Sequence, residues 1–508
     1  MTRPTVETTS GPVVGEDLPG GGAAFRGIPF AAPPLAARRF APPEPAEPWS
    51  EPRDAVRFGN ASVQVTAGGG LGMFGPGELP TDEDCLTLNV WSPGLDDTRR
   101  PVMVWIHGGA FRLGTAGAPM YDGRRLAERG DVVVVSANYR LGLLGFLASP
   151  ELGAANLGLL DQVAALRWVQ REIERFGGDP DRVTVFGESA GAKSVECLLA
   201  MPAARGLFHR AILQSTYATS LDLEPVAART REIAARMDIP ADDLERLRTA
   251  DLDALLGAEA EVLAAAGPAA VGSGGGGPVV DGEHLPIAPI DAVAEGVARE
   301  IPLLLGTTLD EARLFAAMGS LATGGPSLDE PGLLDHLARL LGTDPASERA
   351  RGALVAYREA RLDRGQTAEP PDIAVDAMTD RMFRQHSLRL AEAAARHGET
   401  YMYLFTWPSP VAGGVLGACH GIEIPFVFGT LGLEGGFGVD GEEAAALSDA
   451  VQDAWLSFAK GGPPTSEGLD EWPAYATDGR ATMVLGTECR VEEAPMEAIR
   501  RAWEGTRL

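Results

Sequence analysis

The chain has 508 residues, of which 45% are apolar and 22% are charged, a composition typical of soluble globular proteins. Its formal net charge of -28 argues against a nucleic-acid partner, because phosphate backbones are bound mainly through Lys and Arg. The same charge disfavours attachment to an anionic membrane surface.

The amino-terminal residues 1–15 contain no basic stretch followed by an apolar run, so we expect no secretory signal there. No apolar run approaches the roughly 20 residues that are needed to cross a bilayer. The four cysteines are widely spaced and form no CxxC pair. This spacing favours free thiols in a reducing compartment over a disulfide framework or a metal site. We therefore expect a cytoplasmic protein, and a monomer.

Short apolar runs predict strands that are buried on both faces, as in a parallel sheet. Helical patterns lie between them, and the clearest covers residues 161–176, where apolar side chains recur every three or four positions. Strands that alternate with amphipathic helices predict an α/β fold with a mostly parallel, doubly wound central sheet. The predicted strands are 102–106, 132–136, 183–186, 211–214 and 302–305.

Helical stretches rich in Ala and Leu, at roughly 222–266 and 328–398, predict additions around this core. Two glycine-rich segments, 67–77 and 272–277, predict flexible loops. None of these segments is typical of a long disordered linker between independent domains. We therefore expect a single domain over residues 1–508 with helical additions.

A glycine motif, His107-Gly108-Gly109-Ala110, directly follows the predicted strand 102–106. Backbone N–H groups at the two glycines could stabilise the negative charge that develops on oxygen during acyl transfer, with no side chain in the way. The alternative is a structural glycine turn in which His107 is a buried structural residue. His107 is not expected to act as a base, because it is needed at the turn.

The pattern G-x-S-x-G occurs at residues 187–191, between the predicted strand 183–186 and a helical stretch at 192–200. This strand–serine–helix context is typical of a nucleophile elbow, in which Ser189 occupies a strained turn at a helix N-terminus. The N–H of Ala190 would be a third donor to the developing oxyanion. A purely structural turn is the alternative interpretation. The glycine motif at 107–110, one strand–helix unit earlier in the chain, favours the interpretation of Ser189 as a nucleophile.

A serine nucleophile needs a histidine base and a carboxylate that orients this histidine, in the chain order Ser, acid, His for this type of fold. His420 lies late in the chain, in the loop 417–421 after the strand-like segment 401–406, and is the main candidate. Three of the other histidines lie in charged helical stretches, where exposure is expected: His336, His386 and His397. Spacing alone leaves these open, together with His209 and His284.

Two neighbouring carboxylates, Asp310 and Glu311, follow the predicted strand 302–305. The carboxyl ends of parallel strands are where the active sites of such sheets form. Physical reasoning from the sequence does not choose between these two residues, and a pair of solvated loop charges is the alternative.

Ordered sequence matches then extend over nearly the whole chain, and their segments are FRGIPFA (25–31), RF (39–40), EDCLTLNV (83–90), NYRLG (138–142), FGGDP (176–180), LF (207–208), DE (310–311), GACHGIE (417–423) and WP (472–473). With these segments the chain resembles the type-B carboxylesterase and cholinesterase family, most closely its bacterial carboxylesterases of the para-nitrobenzyl-esterase type. The resemblance implies an α/β-hydrolase fold with helical insertions around an active-site gorge.

The resemblance also implies the activity, a carboxylic ester hydrolase that acts through an acyl-enzyme on small to medium acyl or aryl esters, with no metal or organic cofactor. It assigns the catalytic roles to Ser189 as nucleophile, Glu311 as acid and His420 as base. It further implies the remaining site residues, which are Gly108, Gly109 and Ala190 as oxyanion donors, with Glu188 and Ser215 beside the triad.

Four positions depart from the family pattern. Thr216 and Ala312 stand where glycine is usual, and Lys193 introduces a charge on the helix behind the nucleophile. Ser62 replaces a cysteine that in secreted relatives pairs with the position of Cys85, so that this bridge cannot form.

Two other functions are weighed against ester hydrolysis. Some proteins of this fold have lost the serine and act in adhesion, which an intact elbow and triad argue against. A lipase would need a mobile apolar lid, and no segment is typical of one. The segment 62–85 contains no tryptophan, so the aromatic cation site of cholinesterases is not visible. With a histidine base of ordinary pKa, activity would fall as the pH drops through about 6–7.

Overall fold

The structure is a computed structural model, and it describes residues 3–64, 75, 77–218, 221–266, 276–319 and 328–508. Of the two predicted glycine-rich loops, 67–74 and 76 of the first and 272–275 of the second lie outside the described residues.

An 11-stranded sheet forms the centre of the fold. In chain order its strands are β1 (Glu16–Asp17), β2 (Ala23–Pro29), β3 (Thr87–Ser92), β4 (Arg100–Ile106), β5 (Val133–Ala137), β6 (Gly178–Glu188), β7 (Arg210–Gln214), β8 (Leu303–Thr308), β9 (Thr400–Phe405), β10 (Ala481–Leu485) and β11 (Arg490–Glu493). Their spatial order is β11-β10-β9-β8-β7-β6-β4-β5-β3-β2-β1. The pairings from β5 through β4 and β6 to β10 are parallel, and the strands at both edges pair antiparallel. The predicted fold class, an α/β-hydrolase fold with a mostly parallel sheet, is confirmed.

The central strands are apolar along their whole length because both faces of the sheet are covered. Val104 of β4 pairs with Val135 of β5 on one side and with Val185 of β6 on the other, and all three contribute to one core. The next residues along, Trp105 and Phe186, point to the opposite face, where their ring centroids lie 4.9 Å apart. Side chains alternate between two buried cores, so the strands show no polar–apolar alternation.

Helices cover both faces of the sheet. One core contains side chains of the helices Leu157–Glu172, Ala190–Ala200, Pro289–Ala294 and Gln385–Ala394, and the other contains side chains of the helices Arg124–Gly130, Ile424–Phe428 and Glu442–Ala459. None of the described helices is both long enough and apolar enough to cross a membrane. In chain order the helices are α1 (Arg124–Gly130), α2 (Gly142–Phe146), α3 (Leu157–Glu172), α4 (Ala190–Ala200), α5 (Leu223–Arg236), α6 (Leu252–Ala266), α7 (Pro289–Ala294), α8 (Ala312–Ala317), α9 (Glu330–Leu341), α10 (Glu348–Asp363), α11 (Pro370–Thr379), α12 (Gln385–Ala394), α13 (Ile424–Phe428), α14 (Glu442–Ala459) and α15 (Glu497–Ala502).

Short elements complete the described structure. Three small sheets pair Thr5–Glu7 and Arg53–Asp54 with Pro12–Val14, Ala61–Ser62 with Thr81–Asp82, and Leu221–Asp222 with Val279–Val280. Single 3₁₀ turns cover Ala36–Arg38, Pro119–Tyr121, Pro150–Leu152, Ile173–Phe176, Pro202–Ala204, Leu244–Thr249 and Val411–Gly414. The helix predicted over 161–176 is observed as α3 followed by the turn Ile173–Phe176, so it begins earlier and tightens at its end.

Helices occupy both segments that the sequence assigns to additions. The segment 222–266 contains α5 and α6, and 328–398 contains α9 to α12. A π turn, Asp380–Arg384, joins α11 to α12 without a break. The helices α9, α10 and α11 share an apolar cluster with Trp503, just beyond α15. That the whole chain is one domain stays a prediction.

The strand order places the glycine motif and the serine next to each other. The chain runs from β4 to β5 on one side and later returns to β6 on the other side of β4. This reversal of direction leaves a crevice at the carboxyl ends of the strands. Ile106, the last residue of β4, pairs with Gly187, and Glu188 pairs with Gln214 of β7. The segments that follow β4, β6 and β7 therefore converge at one edge of the sheet.

Candidate active site

Ser189 occupies a sharp turn between β6 and α4. Its backbone has φ 56° and ψ -120°, a left-handed conformation that is costly for a residue with a side chain, and its N–H donates to Gln214 O at 2.9 Å. A Cβ atom at Gly187 would lie 2.6 Å from the Gly191 carbonyl carbon, and one at Gly191 would lie 2.0 Å from Ile106 O. Only glycine fits at either position. The turn leaves Ser189 8% exposed, at the N-terminus of α4.

Three backbone N–H groups beside Ser189 are free to donate. Within the described part of the chain, no acceptor takes the N–H of Gly108, Gly109 or Ala190. Ala190 is the first residue of α4, where an N–H has no intrahelical acceptor and the helix dipole favours negative charge. Gly109 has φ +111°, and a Cβ there would lie 2.1 Å from Leu113 O. Three free donors grouped in this way can donate hydrogen bonds to an oxyanion, which is the role that the family resemblance implies for them.

His107 is a buried structural residue of this turn. Its ring stacks on Tyr139 at a centroid distance of 4.5 Å, and the Tyr139 hydroxyl donates to His107 O at 2.8 Å. Burial lowers the pKa of His107 to about 4, so the ring is neutral. These contacts agree with the prediction that His107 holds the turn and is not the base.

His420 and Glu311 form a buried pair. His420 Nδ1 lies 2.5 Å from Glu311 Oε2, and Glu311 Oε1 accepts from Ser215 Oγ at 2.6 Å and from the Thr308 N–H at 2.8 Å. Since a carboxylate only accepts, the Nδ1 atom carries a proton, and Nε2 is the nitrogen that can accept a proton whenever the ring is neutral. Glu311 thus holds the imidazole directly, and Ser215 and Thr308 hold Glu311.

Asp310, the neighbouring carboxylate, has a different position. Its side chain accepts from the Ala418 N–H at 2.9 Å and forms an ion pair with Arg313 at 3.3 Å, and its own N–H donates to Ala418 O. Asp310 therefore holds the loop that carries His420, whereas Glu311 contacts the imidazole itself. The structure therefore brings together His420 and Glu311, which are the base and the acid that the family resemblance implies.

The free nitrogen of His420 faces the residue before the serine. His420 Nε2 lies 3.1 Å from Glu188 Oε1, and among the described residues Ser189 Oγ has no hydrogen-bond partner. A Cβ built on Gly108 would meet Glu188 Oε2 at 2.7 Å and Ser189 Cβ at 3.2 Å, so the serine, the glutamate and the glycine turn are in direct contact. Hydrogen bonds between a nucleophile and its base are often long in unliganded enzymes and shorten when substrate binds.

Buried carboxylates surround His420. Burial by itself lowers the pKa of His420, but the charges of Glu188, Glu311 and Glu423 outweigh it and raise the pKa to about 9. Burial raises the pKa of Glu188 to about 7, although His420 opposes this shift. Burial and the neighbouring carboxylates raise the pKa of Glu423 to about 8. An imidazolium is therefore more favourable here than in water.

Aromatic side chains form a wall on one side of His420. The Phe383 ring centroid lies 4.5 Å from that of His420, and the Phe315 centroid lies 5.1 Å away. Phe383 belongs to the π turn Asp380–Arg384, and Arg384 of the same turn donates to Leu309 O at 2.6 Å. π turns are frequent at functional sites because they re-aim side chains within a helix. This one places an apolar ring against the predicted base.

Sequence reasoning was wrong about two histidines and missed two site residues. His336 and His386 are buried rather than exposed, because the helices that carry them pack inward. Glu423, which is buried near His420, and Phe383 were not predicted. The spacing of Glu423, three residues after His420, could have indicated it. Within the described ranges, no cluster of His, Cys, Asp and Glu side chains could hold a metal ion.

Adding a methyl group at Gly108 is expected to lower kcat by about 10²- to 10³-fold, the cost of losing an oxyanion donor. The new Cβ would push against Glu188 and the serine. Steady-state kinetics of Gly108→Ala on a soluble ester measures the effect. The matched control is Gly352→Ala in α10, where a Cβ meets no atom within 4 Å and kcat should not change. An unaltered kcat in Gly108→Ala would remove Gly108 from the site.

Comparisons with known proteins show which family the chain belongs to. The model of the carboxylesterase family matches residues 2–503. The para-nitrobenzyl esterase of Bacillus subtilis (strain 168) is 40% identical over 97% of each chain, and the phenmedipham hydrolase of Pseudarthrobacter oxydans is 36% identical over 96% of each. A solved PNB esterase structure has a TM-score of 0.87 at 37% identity, over 99% of this chain and all of the other. A Geobacillus stearothermophilus carboxylesterase has a TM-score of 0.85 at 40% identity, with the same coverage.

Proposed function

Since the chain belongs to the carboxylesterase family and is a serine carboxylic ester hydrolase, we propose that it hydrolyses small to medium acyl or aryl esters through Ser189, His420 and Glu311. One observation carries the proposal. His420, which pairs with the buried Glu311 carboxylate, lies 3.1 Å from Glu188, the residue before Ser189, and the turn at Ser189 presents three unpaired N–H groups among the described residues. This is the arrangement that acyl transfer requires.

In the acylation half, Ser189 Oγ attacks the ester carbonyl carbon and its proton passes to His420 Nε2. The carbonyl oxygen becomes an oxyanion and accepts hydrogen bonds from the free N–H groups of the glycine turn and α4. The bond between the carbonyl carbon and the alcohol oxygen then breaks, and the alcohol leaves with the proton from His420. Glu311 accepts the hydrogen bond from Nδ1 and stabilises the imidazolium.

In the deacylation half, His420 takes a proton from water, and the hydroxide attacks the acyl-enzyme. The oxyanion forms again at the same N–H groups, and Ser189 leaves as the alcohol, which receives its proton from His420. Before substrate binds, the Glu188 carboxylate lies 3.1 Å from Nε2, and its negative charge favours the imidazolium. For each proton transfer the substrate must bring Ser189 Oγ or water within reach of Nε2 in place of this contact.

The direct test is covalent labelling of the intact protein with a fluorophosphonate. We expect one label per chain, located on Ser189 by peptide mapping, and loss of activity in proportion to labelling. The names of the relatives support p-nitrobenzyl esters as the first substrates. A panel of p-nitrobenzyl and p-nitrophenyl esters of graded acyl length defines the range. Labelling without ester turnover would favour a binding or adhesion protein instead.

Further properties are part of the proposal. All four cysteines lie within the described residues and are unpaired, and Ser62 Oγ lies 3.3 Å from Cys85 Sγ where secreted relatives would have a bridge. We propose that the protein is cytoplasmic and works as a monomer on small-molecule substrates, without a nucleic-acid or membrane partner. The net charge of -28 supports the absence of a nucleic-acid partner.

We expect kcat/KM to decline on the acid side of its pH profile, the acid limb, at a pH above 7. For a histidine base of ordinary pKa, this decline would occur at about pH 6–7. His420 must be neutral to accept a proton, and the carboxylates around it raise its pKa to about 9, so activity rises with pH through this range. Glu188→Gln removes one negative charge and should move the limb down by about one pH unit. A pH series with an uncharged ester measures both.

The control for this pH series is Glu172→Gln at the end of α3, a buried carboxylate that accepts from the Thr9 N–H at 3.0 Å and is not part of the site. The pH profile of kcat/KM for Glu172→Gln should match that of the wild type. An acid limb in Glu188→Gln that stays in place would show that Glu188 does not act on His420.

A further inference from the structure

Four buried polar side chains on and next to the helix that follows Ser189 form a network that the mechanism above does not use. Glu196 Oε1 lies 3.1 Å from Lys193 Nζ, and Glu196 Oε2 accepts from Thr216 Oγ1 at 2.6 Å and pairs with His386 Nε2 at 2.9 Å. Each of these residues is exposed by 4% or less. We call Lys193, Glu196, Thr216 and His386 the Glu196 network.

The Glu196 network balances its own charges. A buried carboxylate is costly unless donors surround it. Burial would raise the pKa of Glu196, but His386, Lys193 and Thr216 outweigh it and lower the pKa to about 2, so the side chain is ionised. Burial lowers the pKa of His386, so its ring is neutral and Nε2–H donates. The Lys193 ammonium supplies the positive charge. All the donors hold one carboxylate in a fixed position.

The network joins three separate elements. Lys193 and Glu196 lie on α4, His386 lies on α12, and Thr216 lies in the segment after β7. The carbonyl of Thr216 also accepts from the Ser387 hydroxyl at 3.1 Å. Thr216 is therefore fixed at its side chain and at its backbone. A glycine, which the family resemblance expects at this position, could not make the side-chain bond.

The residue before Thr216 is the one that donates to Glu311. Ser215 has φ +57°, its N–H donates to Gly306 O at 2.8 Å, and its hydroxyl donates to Glu311 Oε1 at 2.6 Å. A non-glycine residue stays in the left-handed region only where its surroundings enforce it. Thr216, which directly follows Ser215, is hydrogen-bonded through its side chain and through its backbone carbonyl.

We propose that Thr216 and Glu196 are positioning residues for the catalytic acid: the Glu196 network holds Thr216, Thr216 keeps Ser215 left-handed, and Ser215 holds Glu311 against His420. The inference rests on the proposed function, in which Glu311 is the acid. It gives Lys193 and Thr216, two of the departures from the family pattern, one shared physical role. Lys193 compensates the charge that lets Glu196 hold Thr216.

The test uses Thr216→Val, which removes one hydroxyl and nearly preserves the shape of the side chain. Removing Glu196 instead would leave Lys193 buried without its partner, and the fold could fail. We expect kcat of Thr216→Val to fall by about 10-fold or more, because Glu311 is no longer held in position. KM should stay within a factor of two of the wild-type value, because the substitution does not alter the substrate pocket. Thr216→Ser retains the hydroxyl and should restore kcat.

A double-mutant cycle tests the route. If Thr216 acts through Ser215, then Thr216→Val has no further effect on kcat in the Ser215→Ala background. The matched control is Thr230→Val in α5, which also removes a buried hydroxyl, one that donates to Ala148 O at 2.8 Å. It should lower the melting temperature and leave kcat unchanged.

The outcomes separate the two proposals. An unchanged kcat in Thr216→Val, no rescue by Thr216→Ser, or multiplicative effects of Thr216→Val and Ser215→Ala would each overturn the positioning role. None of these results would affect the assignment of Ser189 as nucleophile. Full activity of a Ser189 variant would instead overturn the proposed function itself. A loss of kcat in Thr216→Val that Thr216→Ser restores and Ser215→Ala masks would support the inference.

Discussion

Ser189→Ala is expected to lower kcat by about 10⁴- to 10⁶-fold on any ester that the wild type hydrolyses. The hydroxyl is the only group in the mechanism that bonds to the acyl carbon, and the residual rate would come from the oxyanion donors and from substrate binding. KM should change much less than kcat. Initial rates on a p-nitrobenzyl or p-nitrophenyl ester, with active-site titration of the wild type, measure the loss.

The control for Ser189→Ala is Ser194→Ala on the same helix. The Ser194 hydroxyl is buried and accepts from Gln162 Nε2 at 3.0 Å, away from the oxyanion donors. We expect some loss of stability and kcat within a few-fold of the wild type. Both variants should fold, as judged by circular dichroism. Near-wild-type turnover by Ser189→Ala would refute the nucleophile assignment.

Glu311→Gln is expected to lower kcat by about 10³- to 10⁴-fold, the second largest effect. An amide can still bond to His420 but cannot stabilise the imidazolium, and it can favour the wrong tautomer of the ring. The neighbouring Asp310→Asn is the matched comparison. Its side chain holds the Ala418 N–H, an interaction that an amide oxygen can also make, so kcat should stay within about 10-fold of the wild type.

This pair of variants decides between two adjacent carboxylates that the sequence leaves open. The wild type and both variants are compared by kcat, KM and melting temperature on one soluble ester. A larger loss in Asp310→Asn than in Glu311→Gln would reverse the assignment of the acid. Equal small losses would mean that neither carboxylate orients His420.

Much of the fold followed from local patterns. The apolar runs predicted the central strands because a strand buried on both faces contains few polar residues, and the observed strands β4 to β8 overlap every predicted run. The predicted ends of helices and strands were less accurate. The helix predicted over 161–176, for example, is α3 followed by a 3₁₀ turn. The G-x-S-x-G pattern indicated the turn at Ser189 because only glycine fits on either side of it.

The buried histidines show where local patterns fail. His386 lies among charged residues, which predicted exposure, yet its ring is buried against Glu196. The donor and the acceptor are far apart in the chain, and nothing in the helix around His386 indicates a partner on α4. A polar side chain is buried only where another element provides a hydrogen-bond partner for it. The sequence of the segment around the side chain gives no information about that partner.

The amino-acid sequence alone was enough to indicate the glycine turn, the turn at Ser189 and the order of strands and helices, because glycine spacing and hydrophobic period are properties of neighbouring residues. Three features needed the three-dimensional structure: the contact of His420 with Glu311, which only the family resemblance had implied, the groups that raise the pKa of His420, and the bonds that hold Thr216. Those outcomes depend on distances between side chains on β6, β7, β8 and the loop after β9, and electrostatic and hydrogen-bond energies change steeply with such distances.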